Sequence, residues 1–507
     1  SDRTRGVINR DAADMVEKAD VALAEAASGL VTYGYYTSVV VLMAEDLDQL
    51  EHDARLVRRT INNLGFAARI ETVNTVEAFL GSLPGHGVQN VRRPLLHTMH
   101  VADLLPLAAI WPGRDEAPCP FFPAQSPPLL HAATTGATPF RFNLHVGDVG
   151  HTLMIGPTGS GKSTALALIL AQFLRYDGAN IFAFDKGGSL EAMTRAVGGA
   201  HYLISSDDKE SELCFAPLQH IDEPGDLAWA EQWVDNLIVL QGVQMNGVRR
   251  KELHRAMVAL RDGVGDRTLT NLQIEIQDPV LKDALEEYTI SGALGGLIDA
   301  LHDDVATSHV VTFEVEALMD QPDRVRIPVL LYLFRMIERR LKGQPGLLII
   351  DEAWLMLGHR VFREKIREWL KVLRKANCAV LLATQSISDA AQSGIMDVLV
   401  ESCATKIFLA NREAATDESY EFYRQLGLHE AEIHNITLMQ PKHDYYIKGE
   451  GRRIVHFQMG PVLLAFAGVS SPSKRAHIRA LHHEHGAKWP WVWLMEQGVD
   501  RDLSAHA

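Results

Sequence analysis

The chain reads HTLMIGPTGSGKSTALALILAQFL from residue 151 to residue 174, and this stretch holds the clearest structural signal of its 507 residues. The first five residues have the apolar pattern of a buried strand, and TALALILAQFL has the pattern of a helix. Between them, GPTGSGKS at residues 156–163 matches the phosphate-loop pattern G-x-x-x-x-G-K-[ST]. A strand, a glycine-rich loop and a helix in this order predict an α/β domain with a phosphate-binding turn.

The loop and the first helical turn form a predicted triphosphate site. Lys162 would reach the β- and γ-phosphates of ATP, and Ser163 would be a ligand of Mg²⁺. Backbone N–H groups and the positive end of the helix would hold the remaining phosphate oxygens. The alternative is a glycine-rich turn that binds nothing, which the flanking strand and helix disfavour. The predicted nucleotide-binding residues are Gly156, Pro157, Thr158, Gly159, Ser160, Gly161, Lys162, Ser163 and Thr164.

An acidic pair follows another apolar strand in LLIIDEAW, residues 347–354. Because α/β sheets hold their sites at the carboxyl ends of strands, we expect Asp351 and Glu352 near the phosphate loop. Asp351 would hold Mg²⁺ through water, and Glu352 would polarise the attacking water as a general base. The alternative is a solvated acidic pair at a strand end.

Two further strand ends carry polar side chains. In LLATQS, residues 381–386, Gln385 would orient the attacking water and sense the γ-phosphate. The alternative is an amide that caps the following helix. In FDKGGSL, residues 184–190, Asp185 and Lys186 are expected beside the site, behind the residues that touch the nucleotide.

Two arginines could act on the nucleotide of a neighbouring subunit. Arg374 lies in KVLRKANC and Arg412 in FLANRE. If subunits form a ring, a guanidinium supplied in trans would stabilise the charge of the transition state. For each arginine the alternative is a surface cation, and the sequence does not choose between the two residues.

The pattern of apolar segments predicts three regions. Residues 1–110 resemble a small α/β unit with strands at YYTSVVVLMA and AARIETV. Residues 111–139 contain six prolines between Pro112 and Pro128, which predicts a linker. Residues 140–507 alternate strands and helices as a wound α/β sheet does. The strands are predicted at IFAFD, VVTFEV, LLII, CAVLLAT and KIFL, and a helical insertion is predicted at about 215–305.

Composition limits the classes of protein and partner. The formal charge of −15 argues against a broad nucleic-acid-binding surface and favours protein partners. The four cysteines form no C-x-x-C pair, so the sequence suggests neither a disulfide framework nor a zinc site, and we expect a reducing cytoplasmic compartment. Apolar runs fall short of the roughly 18 residues that a spanning helix needs. The chain begins at Ser1 without a signal-peptide pattern, which suggests an excised fragment.

The ordered segments PFRFNLHVGDVGHTLMIGPTGSGKST, FAFDKGGS, LLIIDEAW, LLATQS and TKIFLANRE resemble the TrbE/VirB-type ATPases of conjugation and type IV secretion. The resemblance covers residue 140 to about residue 460. Residues 1–110 resemble only the latter part of the family's amino-terminal domain, which implies that roughly the first half of that domain is absent. The family's nucleotide motifs are matched at Lys162, Ser163, Asp351, Glu352 and Gln385. The arginine that acts on a neighbouring subunit's nucleotide in the family is matched less clearly by Arg374 or Arg412.

The resemblance also implies an architecture and partners. It implies a RecA-like P-loop core related to HerA and FtsK, with a helical insertion, after a small α/β remnant. It implies a hexamer at the cytoplasmic base of the secretion channel, peripheral to the inner membrane. The implied partners are further copies of the chain and other type IV secretion components, including the coupling protein and inner-membrane subunits.

Three functional hypotheses follow from these motifs. In the leading one, hydrolysis of Mg-ATP powers channel assembly or substrate transfer in a type IV secretion apparatus. In the second, the chain is a translocase of the HerA/FtsK class that acts directly on DNA, which would give salt-dependent binding of DNA. In the third, the chain is a scaffold whose ATP binding switches partner contacts while turnover is incidental.

Overall fold

The computed structural model describes residues 10–29, 31–63, 65–89, 92–105, 111–134, 139–204, 213–352, 360–385, 394 and 396–499. The chain divides into two compact units, Ser1–Ile110 and Trp111–Ala507. Among the described residues, no helix combines the length and the apolar character that crossing a bilayer requires.

The smaller unit contains four helices and one pair of strands in its described residues. The helices are α1 (Arg10–Ala27), α2 (Leu47–Asn63), α3 (Thr75–Gly81) and α4 (Thr98–Leu104); the strands are β1 (Tyr33–Tyr35) and β2 (Leu95–His97). The two strands are antiparallel, with Tyr33 opposite His97. The strands predicted at YYTSVVVLMA, residues 35–44, and AARIETV, residues 67–73, are wrong: β1 shares only Tyr35 with the first stretch, and the second contains no strand. In the part of the chain described, these stretches have no neighbouring strand to hydrogen-bond, and Val40 is exposed.

The larger unit is built on a mostly parallel sheet, which confirms the predicted α/β class. Its strands are β3 (Leu130–Ala132), β4 (Phe140–Phe142), β5 (Thr152–Ile155), β6 (Asn180–Asp185), β7 (Ala200–Leu203), β8 (Val310–Glu314), β9 (Gly346–Ile350), β10 (Cys378–Thr384), β11 (Thr405–Leu409), β12 (Asp444–Lys448) and β13 (Arg452–His456). Nine of them, in described residues, form the sheet in the order β13-β12-β11-β5-β10-β9-β6-β8-β7, where β12 and β13 are antiparallel to their neighbours. The other two, β3 and β4, form a separate antiparallel pair that comes before the sheet in the sequence.

Helices cover both faces of this sheet. The central strands are mainly apolar because each face is buried: in β6, Phe182 and Phe184 enter one apolar core, while Ile181 and Ala183 enter the other. The helices are α5 (Lys162–Phe173), α6 (Glu191–Ala196), α7 (Asp226–Leu240), α8 (Gly247–Asp262), α9 (Leu269–Glu275), α10 (Pro279–Leu285), α11 (Gly295–Ile298), α12 (Glu316–Met319), α13 (Asp323–Arg340), α14 (Arg360–Lys375), α15 (Met396–Ser402), α16 (Asp417–Gln425), α17 (Glu430–Leu438), α18 (Pro461–Ala467), α19 (Pro472–His485) and α20 (Trp489–Glu496).

The helical segment predicted at about 215–305 is present between β7 and β8 as α7 to α11. Its buried side chains belong to the same core as α13 and α14. The indole N–H of Trp233 donates to the carbonyl of Pro328, 3.0 Å away, so the insertion is anchored on α13. An ion pair between Arg335 and the buried Asp226 ties the start of α7 to the same helix.

The proline-rich segment packs against the larger unit. Cys119, Phe122 and Leu129 are buried in its core, in the cluster that also contains Phe173 of α5. The backbone carbonyl of Leu129 accepts a hydrogen bond from Arg175, 2.9 Å away. Proline prevents a regular helix here but does not prevent apolar side chains from packing. Residues 111–134 therefore differ from the expected linker, since they form part of the packed body.

Candidate nucleotide site

Three neighbouring strands end at one edge of the sheet and bring the predicted site residues together. β5 pairs in parallel with β10, with Ile155 opposite Thr384. β10 pairs in parallel with β9, with Leu382 opposite Ile350. The phosphate loop follows β5, Gln385 follows β10, and the acidic pair follows β9. The carboxyl ends of these strands therefore form the crevice in which an α/β sheet holds its ligand.

The phosphate loop adopts a conformation that depends on glycine. Gly159 and Gly161 have φ values of +79° and +106°, in the region that other residues rarely adopt. A Cβ atom on Gly161 would lie 3.0 Å from the Cα of Lys442 and from the hydroxyl of Tyr445. The backbone N–H of Lys442 donates to the carbonyl of Ser160 at 2.8 Å. The turn that precedes β12 therefore packs against the phosphate loop and hydrogen-bonds to it.

Other loop contacts come from the neighbouring strands. The backbone N–H of Gly156 donates to the carbonyl of Thr384 at 3.1 Å. A Cβ atom on Gly156 would lie 2.6 Å from the Cβ of Leu409 in β11, so this position also requires glycine. The hydroxyl of Ser160 donates to the carbonyl of Pro157 at 2.6 Å, which closes the turn of the loop.

Lys162 contacts both members of the acidic pair. It is the first residue of α5, and its Nζ lies 2.9 Å from Oδ1 of Asp351 and also contacts Oε1 of Glu352. The three side chains are buried, at 8%, 5% and 8% exposure. Because a buried charge without a partner is costly, the ammonium group stabilises the two carboxylates, although one positive charge offsets only one of the two negative charges. When a triphosphate and its metal cation bind, the phosphates can pair with the Lys162 ammonium and the cation can pair with the carboxylates in its place.

Glu352 has a strained backbone, with a φ of +54°. Residues other than glycine rarely adopt this conformation, and such strain is concentrated at functional sites. The N–H of Glu352 donates to Oδ1 of Asp351 at 3.1 Å, and the N–H of Asp351 donates to the carbonyl of Phe184 at 2.9 Å. These bonds hold the acidic pair in place directly after β9.

Gln385 contacts the phosphate loop. The hydroxyl of Thr158 donates to its Oε1 atom at 2.7 Å. Gln385 therefore lies beside the phosphate loop, as predicted, and its side-chain amide contacts the loop directly. Ser386, the last residue of LLATQS, lies outside the described residues.

The donor set for a magnesium ion consists of hard oxygen ligands. Ser163 and Thr164 follow Lys162 in the first turn of α5, and the Asp351 carboxylate contacts the Lys162 ammonium. Mg²⁺ prefers one or two such protein oxygens together with phosphate oxygens and water. Ser163 and Asp351 fit that requirement.

The two candidate arginines lie at different edges of the sheet. Arg374, near the end of α14, makes a two-pronged ion pair with Asp148, with N–O distances of 2.9 and 2.8 Å. It lies before β10 and thus near the amino ends of the strands. Arg412 follows β11 at the carboxyl edge and is exposed. In the described part of the chain, neither guanidinium contacts Lys162, Asp351 or Glu352.

The structure adds residues that sequence patterns did not identify. Lys442 and Tyr445 support the loop, yet nothing in the local sequence signals this contact. Asp185 lies beside Asp351, because the register that pairs Phe184 with Ile350 also makes the next residues neighbours. Burial, together with the nearby Glu314 carboxylate, raises the pKa of Asp185 well above its usual range. FDKGGSL had already predicted Asp185 beside the site, so Lys442 and Tyr445 are the residues that the structure adds.

Two parts of the chain match family descriptions. Residues 2–92 match the CagE, TrbE, VirB family, a component of the type IV transporter system. Residues 269–451 match the TraG P-loop domain. The second match includes LLIIDEAW, LLATQS and FLANRE.

The chain is similar over nearly its whole length to conjugal transfer proteins. It is 51% identical over 497 residues to conjugal transfer protein TrbE of Rhizobium radiobacter, with 97% of this chain and 60% of that protein aligned. It is 50% identical over 494 residues to a probable conjugal transfer protein TrbE of Sinorhizobium fredii, with 97% of this chain and 74% of that protein aligned. This chain therefore spans about three fifths of the first relative.

A solved structure of VirB4 of Thermoanaerobacter pseudethanolicus has a similar fold. The TM-score is 0.53 at 16% identity, and the superposition covers 66% of this chain and 98% of that one. This likeness supports the arrangement of the sheet and its helices.

Proposed function

The chain belongs to the CagE, TrbE, VirB family of type IV transporter components, and from this membership we propose that its larger unit is an ATPase motor of a conjugation or type IV secretion apparatus. The resemblance inferred from the motifs is thus confirmed at the level of the family. The observation that carries the proposed activity is the position of Lys162 against Asp351 and Glu352 at one sheet edge.

In the proposed reaction, water attacks the γ-phosphate of bound ATP. Lys162 and the N–H groups of the loop bind the phosphates and stabilise the charge that develops during transfer. Glu352 accepts a proton from the attacking water, while Gln385 orients that water. Ser163 and Asp351 would hold Mg²⁺, which supplies charge neutralisation at the phosphates.

We propose that subunits form a ring, as a hexamer, and that Arg412 serves the site of a neighbouring subunit. Two observations support Arg412 over Arg374. Arg412 is exposed at the carboxyl edge, where it follows β11, and β11 pairs with the strand that precedes the phosphate loop. Arg374 is held by Asp148 and lies toward the opposite edge. An exposed guanidinium is available to a second subunit, whereas a paired one must first leave its carboxylate.

We further propose that the motor works at the cytoplasmic face of the inner membrane, as a peripheral component. Its partners would be other type IV secretion components, among them the coupling protein and inner-membrane subunits. The family description, a component of the type IV transporter system, supports this assignment.

The steady-state ATPase rate as a function of protein concentration tests the proposal. A site completed by a neighbour's arginine gives a specific activity that rises with concentration, because association assembles the site. No hydrolysis of Mg-ATP at any concentration that supports association would contradict the motor.

Two further measurements separate the alternatives. If DNA stimulates the ATPase rate, and this stimulation falls steeply as the salt concentration rises, the chain is a translocase that acts directly on DNA. Normal transfer in cells carrying Glu352→Gln, which is expected to bind ATP without hydrolysing it, would favour a nucleotide-gated scaffold. Failure of transfer in these cells, with hydrolysis insensitive to DNA, supports the secretion motor.

A further inference from the structure

Beside the nucleotide site, the last residues of β6 and β8 and the second residue of β7 bring together a second group of potential ligands. One ligand atom from each of Asp185, His201 and Glu314 lies within 4.8 Å of the other two. The register explains this arrangement: Asp185 is opposite Glu314, and His201 is opposite Thr312. Since residues two apart in a strand share a face, all three ligands lie on one face of the sheet.

This face is covered, so the three side chains are removed from water. Helix α6 packs on β7 and β8, and the hydroxyl groups of Thr194 and Thr312 are 2.7 Å apart. Asp185 is fully buried, Glu314 is 5% exposed and His201 is 9% exposed. Polar groups buried to this degree normally have hydrogen-bond partners.

Two atoms of the group lack such partners among the residues that the structure describes. Nε2 of His201 and Oε2 of Glu314 are buried there and make no hydrogen bond. The other oxygen of Glu314 accepts from the N–H groups of Gly187 and Glu316, at 3.1 and 3.0 Å. A buried donor or acceptor without a partner costs about 1–3 kcal/mol, so a ligand bound by these two atoms would remove that cost.

The two carboxylates of the group have no directly paired cation. In the described part of the chain, no ion pair joins Asp185 or Glu314 to a basic side chain. Three arginines on α6 and α19 lie near His201, and they share the single buried carboxylate of Glu191 at 3.1, 3.9 and 3.3 Å: Arg195, Arg475 and Arg479. Two adjacent buried carboxylates without a cation repel each other, and a divalent cation would remove that repulsion.

We propose that Asp185, His201 and Glu314 bind a divalent transition-metal ion, separate from the magnesium of the nucleotide. An imidazole with two carboxylates is a donor set that Zn²⁺ accepts, and three protein ligands leave a fourth position for water. Such an ion would join β6, β7 and β8. It would also fix Asp185, whose strand neighbour is Asp351. The proposal does not depend on ATP hydrolysis.

Zinc binding to the metal-stripped full chain tests this proposal. We expect one tightly bound Zn²⁺ per chain in the presence of excess Mg²⁺, measured by calorimetry and by metal analysis after dialysis. Glu314→Gln removes a charged ligand but keeps the shape, and His201→Ala removes the imidazole. Each variant is expected to weaken that binding by at least about 100-fold, because each removes a direct ligand.

A second cluster provides the matched control. His443, Asp444 and His456 are also close together, but Oδ1 of Asp444 accepts hydrogen bonds from both histidines. His456→Ala should therefore leave the tight site intact. Circular dichroism of each variant shows whether it is folded, and Co²⁺ spectra of the folded variants report on the ligand set directly.

Either of two results would overturn the proposal. One is the absence of tight Zn²⁺ binding by the wild-type chain, in which case Asp185 and Glu314 share a proton. The other is tight binding that survives in folded Glu314→Gln and His201→Ala but is lost in His456→Ala.

Discussion

The hydroxyl of Thr158 in the phosphate loop donates a 2.7 Å hydrogen bond to the side-chain oxygen of Gln385, a residue 227 positions away in the sequence. The contact joins the loop to the end of β10, the strand beside β5. A change in the loop on nucleotide binding therefore acts directly on the residue that we expect to orient water.

Thr158→Val should lower the turnover number by about fivefold, because it removes one hydrogen bond of about 1 kcal/mol. Gln385→Ala should lower it further, because it removes the same hydrogen bond together with the amide that we propose to orient the attacking water. The double variant should lose less than the product of the two factors, since both substitutions remove the same contact. Thr158→Ser keeps the hydroxyl and serves as the control. Fully multiplicative losses in steady-state kinetics would show that the two residues act independently.

Lys162→Ala should lower the turnover number divided by KM about 100- to 1,000-fold, because the charged donor to the phosphates is lost. Glu352→Gln should keep nucleotide affinity while hydrolysis falls by at least about 100-fold. ATPase assays and binding of a fluorescent nucleotide separate these effects. Lys371→Ala, which removes an exposed lysine of α14, is the control for loss of charge. Normal hydrolysis by Lys162→Ala would contradict the site assignment.

Gly161→Ala should impair the loop more than Gly159→Ala. Both residues have a positive φ, which costs another residue about 1–2 kcal/mol, but only at Gly161 would a Cβ atom approach Lys442 and Tyr445. We expect nucleotide affinity to fall at least about tenfold further in Gly161→Ala than in Gly159→Ala. Equal affinities in a nucleotide titration would show that the turn before β12 does not constrain the loop.

Arg412→Ala should lower specific activity by about 1,000-fold at protein concentrations where subunits associate. Arg374→Ala should retain most activity, because its guanidinium is paired with Asp148. Mixing Arg412→Ala with Lys162→Ala should restore part of the activity, since one variant supplies the arginine and the other the loop. If mixing restores nothing and Arg412→Ala is fully active alone, the arginine does not act between subunits.

Stability should fall as the pH is lowered from 6.5 to about 4, partly because of His145. Burial, followed by the charge of His151, lowers the pKa of His145 to about 4, although Asp148 opposes the shift. Between these values the unfolded chain binds the proton and the folded chain does not, so stability decreases by up to about 1.4 kcal/mol per pH unit. Above pH 6.5 this contribution is fully present.

Thermal unfolding at a series of pH values measures this effect. The midpoint of His145→Gln should depend less on pH than that of the wild type. His434→Gln, which changes an exposed histidine of α17, should retain the wild-type slope. An unchanged slope in folded His145→Gln would assign the pH dependence to other groups.

Much of the larger unit could be predicted because its signals are local. CAVLLAT corresponds residue for residue to β10, and LLII falls within β9. Continuous apolar runs of this length indicate strands buried on both faces. The meeting of Lys162, Asp351 and Glu352 then followed from the general rule that parallel strands place their carboxyl ends at one edge.

The remaining features depend on contacts between distant segments or on backbone geometry. No pattern around Glu352 signals its positive φ, which is imposed by the surrounding structure. Proline content indicated an irregular path at residues 112–128 but not the burial of Phe122 against α5. In the smaller unit, the strand predicted in AARIETV would need a hydrogen-bonding partner that the sequence pattern cannot supply.

The backbone hydrogen bond from Lys442 to Ser160 also affects where the chain can be truncated without loss of the nucleotide site. A fragment that stopped after TKIFLANRE would keep every recognisable signature of ATP binding, yet it would lack the hairpin whose entry braces the loop. We therefore expect the functional boundary to lie past the last nucleotide motif, after the hairpin of β12 and β13.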